Sequence, residues 1–121
     1  MTQDIVDLID FYATTLGQST AATIRLMIAH LWPDLNTENF LGIGYPLPFI
    51  PSQANIHRTL VFMPAQQGII HWPDESKNLC CLINEDSLPL PNESVDRIML
   101  IHSLEHSEHA RPYLRELWRI L

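Results

Sequence analysis

The sequence predicts an α/β fold of three layers, in which about four parallel strands lie between helices. Apolar residues at helical spacing mark both ends of the chain, and short apolar runs separated by loops fill its middle. Polar and acidic residues follow the last two apolar runs directly, within the stretch from Asn84 to His106. An open parallel sheet binds its ligand in the crevice outside the carboxyl ends of the strands, so we expect a site there.

Two helices are predicted in the first 36 residues. The first has apolar residues at helical spacing from Asp4 to Leu16, and Gly17 is expected to end it. Ser19 or Thr20 would cap the second helix, which ends at Trp32-Pro33. The apolar stripe of this second helix is expected to contain Ile24, Met27, Ile28 and Leu31. The simpler interpretation is that both helices cover one edge of the sheet.

Four short apolar runs have the length and composition of strands. They are Asn39–Gly44, Arg58–Met63, Leu79–Ile83 and Ile98–Ile101. The third is an unbroken apolar run, which parallel sheets bury on both faces. Cys80 and Cys81 lie within it and are adjacent, so they lack the C-x-x-C spacing of zinc and redox sites and are expected to be buried thiols.

A helix is predicted from His109 to the last residue. Its apolar face is expected to contain Ala110, Leu114, Leu117, Trp118 and Leu121. The arginines of this segment lie among leucines and a tryptophan, which favours a packed helix over a nucleic-acid contact.

Charge and hydropathy exclude several classes of partner. Seven basic and fourteen acidic residues give a formal charge of −7, which argues against binding to a phosphate backbone. No apolar run approaches the roughly 20 residues of a membrane span. The first residues contain Asp4, Asp7 and Asp10 and lack the basic region of a signal peptide, so we expect a cytoplasmic protein without a membrane partner.

Three motifs together carry a family resemblance: the turn Leu41 to Pro46 with its G-x-G, the Asp86-Ser87-Leu88 segment after the third strand, and the LRELWRIL helix from Leu114. They resemble the class I S-adenosylmethionine-dependent methyltransferases of the small-molecule type, with a type 11-like domain. The resemblance runs from about Asn39 to the last residue. It implies a Rossmann-like sheet in the order 3-2-1-4-5-7-6, of which this chain would supply the first four strands and be truncated before the fifth.

The resemblance also implies S-adenosylmethionine as the cofactor and a set of contacts to it. The residues that match these contacts are Gly42, Gly44, Tyr45, Pro64, Asp86, Ser87, Leu88 and His102. Asp86 would accept from the adenine amino group, and Leu88 would be its apolar neighbour. Family members carry an acid at the end of the second strand for the ribose hydroxyls, whereas here Gln66 or Gln67 is left to accept one hydrogen bond.

Two further features bear on the cofactor. Pro46 and Pro48 follow the glycines and have no backbone N–H, so this turn is a poor phosphate cradle and favours a sulfonium cofactor over NAD. The N-terminal helices resemble the lid that closes over the cofactor in many methyltransferases. In that alternative, Tyr12 would contact the cofactor.

The segment His102 to His106 reads H-x-x-E-H, which is a zinc signature when all five residues lie on one helix. Here the first histidine closes a strand, and no suitable third ligand follows. We therefore expect no metal, and a zinc hydrolase that uses His102, Glu105 and His106 is a remote alternative. The segment also lacks the Asp or Asn, two prolines and aromatic of enzymes that methylate amino groups of nucleic acids, which favours a small-molecule acceptor.

The chain is predicted to be one partial domain, with an N-terminal helical segment at 1–36 and a cofactor-binding half at 37–121. We expect the cofactor-binding portion of a methyltransferase, and no catalytic residue is assigned. The alternative is a non-catalytic dimerising module on a degraded methyltransferase fold. The fourth strand would become a sheet edge, so a homodimer is expected through that strand or through the helix that carries Trp118.

Overall fold

The computed structural model describes residues 4–51, 55–65, 67–68 and 79–121. The helices in these ranges are α1 (Ile5–Ala13), α2 (Thr15–Leu31) and α3 (Ala110–Ile120), with short 3-10 turns at Leu47–Phe49 and Leu104–His106. The strands are β1 (Asn36–Gly44), β2 (Asn55–Pro64), β3 (Cys80–Ile83) and β4 (Arg97–Ile101). Gln66, His71 and Trp72, which the sequence places between the second and third strands, lie outside the described residues.

The four strands form one sheet in the order β3-β2-β1-β4, and every neighbouring pair is parallel. The predicted fold class and the order of the first four strands are therefore confirmed. The register places Gly44 beside Ile101 and Pro64 beside Ile83. The carboxyl ends of all four strands consequently lie along the same edge of the sheet.

Helices cover both faces of the sheet. Successive side chains of a strand point to opposite faces, and the strands carry apolar side chains on both of them. Leu41, Ile43 and Phe62 point to one face, where α3 packs against them with Tyr113 and Leu117. The opposite face carries two clusters. One is formed with α1 and contains Ile5, Leu8, Tyr45, Val61, Met63 and Cys80. The other is formed with α2 and contains Ala21, Leu35, Phe40, Phe49 and Met99.

The boundary between the two N-terminal helices differs from the prediction. Thr14 separates α1 from α2, and its Oγ1 accepts a hydrogen bond from the Gly17 amide at 3.0 Å, so Gly17 lies inside α2 instead of ending the first helix. Neither Ser19 nor Thr20 caps the second helix. A Cβ on Gly17 would overlap the carbonyl oxygen of Phe11. The glycine therefore permits close contact between consecutive helices, a role that its turn-forming tendency did not reveal.

Two of the predicted apolar faces are also wrong in part. On α2, Met27 and Leu31 are exposed, whereas Ile24 and Ile28 pack against the core. On α3 the buried residues are Tyr113, Leu117 and Ile120, whereas Leu114, Trp118 and Leu121 are exposed. The helical spacing of apolar residues is compatible with either of two neighbouring stripes on α3. The stripe that contains Tyr113 is the one that packs against the sheet.

The third strand is only half buried. Cys80 and Ile83 are buried, but Cys81 and Leu82 are exposed, which corrects the expectation that both thiols and both faces of this strand are buried. In the described part of the chain β3 lies at one edge of the sheet, with β2 on one side only. An apolar run by itself does not distinguish an edge strand from a central one.

Two side chains of α3 hold the loop that returns from β3 to β4. Glu116 accepts a hydrogen bond from the Leu88 amide at 2.9 Å, and it pairs with Arg119 at 2.7 Å. The Arg119 guanidinium also donates to the carbonyl oxygens of Leu88 and Leu90. The hydrogen bond that Arg119 donates to Glu116 is the main cause that lowers the pKa of the Glu116 carboxyl and raises the pKa of Arg119. This arrangement fixes the loop on α3.

Asp96 joins the starts of two neighbouring strands. Its carboxylate accepts from the Asn39 amide at 2.9 Å, and its own amide donates to the Asn39 carbonyl at 3.0 Å. None of the described helices has both the length and the apolar content required to span a bilayer.

Candidate functional site

A polar cavity of about 230 Å³ opens at the carboxyl edge of the sheet. The residues that line it lie at or beyond the carboxyl ends of β2, β3 and β4, and they are Pro64, Gln67, Asn84, Glu85, Asp86, Ser103, His106, Glu108 and His109. Two of the predicted site residues, Pro64 and Asp86, therefore lie in the same cavity. Parallel strands bring these residues together although the chain separates them.

Gln67 is the most deeply buried polar residue of this cavity wall other than Ser103, with 2% of its surface exposed. Its Nε2 donates to the carbonyl oxygen of His102. A carbonyl oxygen only accepts, so this contact determines which end of the amide is which. The Oε1 atom is buried and has no hydrogen-bond partner among the described residues. An acceptor without a partner costs about 1–3 kcal/mol when buried, so it indicates a place for a ligand donor.

The rim of the cavity is acidic. The Asp86 carboxylate makes no hydrogen bond with the described residues, and the Asp86 amide donates to Asn84 Oδ1 at 3.2 Å. Glu85 accepts from the Ser107 hydroxyl at 2.7 Å. The oxygen atoms of Asp86 and Gln67 are thus available acceptors, which suits a ligand with amino and hydroxyl donors and disfavours a phosphate.

The glycine turn that follows β1 packs against the protein itself. Gly44 has φ of +96°, and a Cβ at this position would overlap the carbonyl oxygen of Ile101. A Cβ on Gly42 would lie 2.6 Å from the Pro46 side chain. Tyr45 is 7% exposed and donates its amide to Ile101. Gly42, Gly44 and Tyr45 therefore lie at the predicted edge of the sheet. The atoms that come close to them belong to Ile101 in β4 and to Pro46.

Ser87 and Leu88 sit differently from Asp86, although they follow it directly. The Ser87 amide donates to the Asn84 carbonyl at 3.2 Å, which closes a tight turn. Leu88 is 3% exposed and packs in the core cluster beneath α3. Its amide and carbonyl both bond to α3, so neither residue lines the cavity.

His102 lies between this cavity and α1. It follows β4 with φ of +56°, a left-handed conformation that is uncommon outside glycine, and its Nε2 is 2.6 Å from the Tyr12 hydroxyl. Burial lowers the pKa of His102 and raises the pKa of Tyr12. Both groups are therefore uncharged at neutral pH, and the tautomer of the imidazole sets which of the two donates in this contact.

The H-x-x-E-H segment does not form one continuous helix. His102 precedes the short turn Leu104–His106, so the two histidines are not one helical turn apart on a common face. In the described ranges no group of three or more His, Cys, Asp or Glu side chains is arranged to hold a metal ion. The described residues therefore lend no support to the zinc alternative.

The contact between Tyr12 and His102 was not predicted, because the two residues are far apart in the chain and no local pattern links them. Glu108 and His109, which reach the cavity from the segment before α3, were not predicted either. A signal existed for Gln67, since it stands just beyond the end of a strand where an acceptor was expected.

A comparison with known protein families finds one match that bears on the site. A family model described as a methyltransferase domain matches residues 66–121, a little under half of the chain. The matched segment contains β3, β4 and α3, and most of the cavity wall. Searches of curated proteins and of solved structures found no match.

Proposed function

We propose that the chain binds S-adenosylmethionine at the carboxyl edge of its sheet and serves methyl transfer to a small-molecule acceptor; the match of residues 66–121 to a methyltransferase-domain model supports this proposal. The family match supports methyl transfer in general. The choice of cofactor, the size of the acceptor and a cytoplasmic location are our proposals. The acidic composition and the acidic cavity rim support an acceptor other than a nucleic acid.

The unpartnered Oε1 atom of Gln67 carries this proposal. It lies just beyond β2, where the resemblance expects an acceptor for the ribose hydroxyls, and it has no donor among the described residues, so a ligand hydroxyl can supply one. Asp86 lies on the same cavity beyond β3, where an acceptor for the adenine amino group is expected. The cavity is smaller than the roughly 300 Å³ at which ligand pockets usually begin. It therefore suits the adenosine part of the cofactor.

Removing an acceptor should weaken binding of the cofactor product. We expect Asp86→Ala and Gln67→Met each to reduce the affinity for S-adenosylhomocysteine by about tenfold or more, since each loses a hydrogen bond worth about 1–3 kcal/mol. Isothermal titration calorimetry of the wild-type chain and the variants measures this directly.

Asp34→Ala is the matched control for the Asp86 variant. Asp34 is an exposed aspartate that precedes β1 at the opposite edge of the sheet, so its loss changes the net charge equally without touching the cavity. Equal affinities of Asp86→Ala and Asp34→Ala would contradict the assignment of Asp86. The absence of heat with the wild-type chain at millimolar ligand would reject cofactor binding altogether.

The packing of Gly44 favours a second candidate, a non-catalytic interaction module. A Cβ on this glycine would overlap the carbonyl oxygen of Ile101 in β4, so packing within the sheet explains the glycine without a cofactor. The same fold exposes 82% of Trp118, together with Leu114 and Leu121 on the outer side of α3. We propose that this face, or the outer edge of β4, forms the contact of a homodimer.

Sedimentation velocity tests the homodimer. We expect the wild-type chain to self-associate and Trp118→Ser to raise the dissociation constant by at least tenfold, because a large aromatic side chain contributes much of the energy of an interface. Leu26→Ser is the control, since Leu26 is 73% exposed on α2, on the other side of the sheet. A wild-type chain that stays monomeric at high concentration would contradict the proposal.

A further inference from the structure

A second cavity, of about 310 Å³, lies between α1, α2 and the turn that follows β1. Its lining residues are Ile9, Tyr12, Ala13, Gln18, Ala21, Arg25, Tyr45 and Pro48. None of them lines the polar cavity at the carboxyl edge of the sheet, which is called the adenosine cavity below. The volume falls at the lower end of the roughly 300–1,000 Å³ of small-molecule pockets, so the space fits a ligand of one or two rings.

Two aromatic rings shape this cavity. The rings of Tyr12 and Tyr45 are stacked, with centroids 5.8 Å apart and planes 25° from parallel, and Phe49 meets Tyr12 edge-on. The other lining groups are largely aliphatic, such as Ile9 and Ala13. A planar apolar ligand can therefore contact aromatic rings and aliphatic side chains together.

Arg25 gives the cavity its charge. It is the one cationic side chain among the described residues of this lining, and no described carboxylate lies within ion-pair distance of it. Its Nη1 donates to the Pro48 carbonyl at 2.9 Å, which fixes the guanidinium beside the cavity. A guanidinium has five N–H donors in a planar fork, and one hydrogen bond to Pro48 leaves most of them available for a carboxylate.

The two cavities are joined by a short series of hydrogen bonds. Tyr12 lines the second cavity and contacts His102, the carbonyl of His102 accepts from Gln67, and Gln67 lines the adenosine cavity. The second cavity therefore lies beside the site proposed for the methyl donor.

We infer that the cavity between α1 and α2 binds a small planar carboxylate, with its ring against Tyr12 and Tyr45 and its carboxylate on Arg25. This ligand would be the methyl acceptor, an identification that rests on the proposed function. The binding itself does not depend on S-adenosylmethionine, so it can be measured without the cofactor.

Benzoate is the probe. We expect calorimetry to show that benzoate binds the wild-type chain at millimolar concentration, and that Arg25→Gln weakens this binding by about tenfold, since a charge-assisted pair is lost. Benzyl alcohol and benzylamine, which have the ring without the negative charge, should bind at least about tenfold more weakly than benzoate. Ala13→Leu should also reduce benzoate binding, because it fills the cavity and leaves Arg25 intact.

Arg58→Gln is the matched control, since Arg58 is an exposed arginine on β2 that lies outside this cavity. Circular dichroism should give the same helix content and melting temperature for the Arg25 and Ala13 variants as for the wild-type chain. No benzoate binding, or equal binding to Arg25→Gln and Arg58→Gln, would overturn the inference. Titration with S-adenosylhomocysteine is independent, so loss of one ligand with retention of the other separates the two proposals.

Discussion

Replacing Gly44 by alanine is expected to lower the free energy of unfolding by at least about 3 kcal/mol. Two effects add. The backbone of Gly44 has φ of +96°, which alone costs a residue with a Cβ about 1–2 kcal/mol. The new Cβ would also overlap the carbonyl oxygen of Ile101, a backbone atom that cannot move without disturbing the pairing of β1 with β4. Chemical denaturation of the wild-type and variant chains measures the difference.

Gly68→Ala separates these two effects. Gly68 has a similar φ of +104°, but a Cβ there would lie 3.0 Å from the Ile5 Cγ2, the end of a side chain that can shift. We expect this variant to lose only the conformational cost of about 1–2 kcal/mol. Equal destabilisation by the two alanines would show that contact with β4 does not explain the glycine. The space beside Gly44 would then be open to a ligand.

The second large effect concerns pH. Burial, as the main cause, raises the pKa of the Tyr113 hydroxyl from 10.0 to about 12, although the hydrogen bond with Ser103 opposes the shift. The unfolded chain therefore loses this proton at lower pH than the folded protein does. The contribution of Tyr113 to the free energy of unfolding is fully present below pH 10. It is lost as the pH rises from 10 towards 12, by about 2–3 kcal/mol in total.

Tyr113→Phe tests that dependence. At neutral pH the variant should be less stable by about 1 kcal/mol, because the buried Ser103 hydroxyl loses its partner at 2.6 Å. Between pH 10 and 12 its stability should fall less steeply than that of the wild-type chain. Tyr12 and Tyr45 also have raised pKa values, so part of the decline will remain. Parallel stability curves for the two proteins would contradict the assignment.

Periodicity and strand composition predicted the elements, and the family resemblance implied their order. Apolar runs bounded by prolines, glycines and polar residues indicated four strands, and unbroken apolar composition indicated a parallel sheet. The prediction that the run Leu79–Ile83 is buried on both faces is nevertheless wrong in part, because the position of a strand in the sheet is a property of the whole fold. Gly17 was taken as a stop for a similar reason, since close packing against Phe11 is not visible in the local sequence.

The site could be predicted where its residues stand at the ends of predicted strands. Pro64 is the last residue of β2 and Asp86 comes shortly after β3, so the rule for parallel sheets places both at the cavity. Tyr12 and His102 come from opposite ends of the chain, and only the packing of α1 on the sheet brings them into contact. Arg25 carried no signal, because an exposed arginine in a helix is ordinary until a neighbouring turn and two tyrosines surround it.

The parallel register has a consequence for how the chain folds. The pairing of Gly44 with Ile101 joins two distant parts of the sequence, and each of the other strand pairs also encloses a long connection. Closing such loops is entropically unfavourable until the contacts between the strands are made, so chains with many distant contacts fold slowly. The two N-terminal helices depend on neighbouring residues and can form early, whereas the edge that unites both cavities requires the distant pairing of β4 with β1.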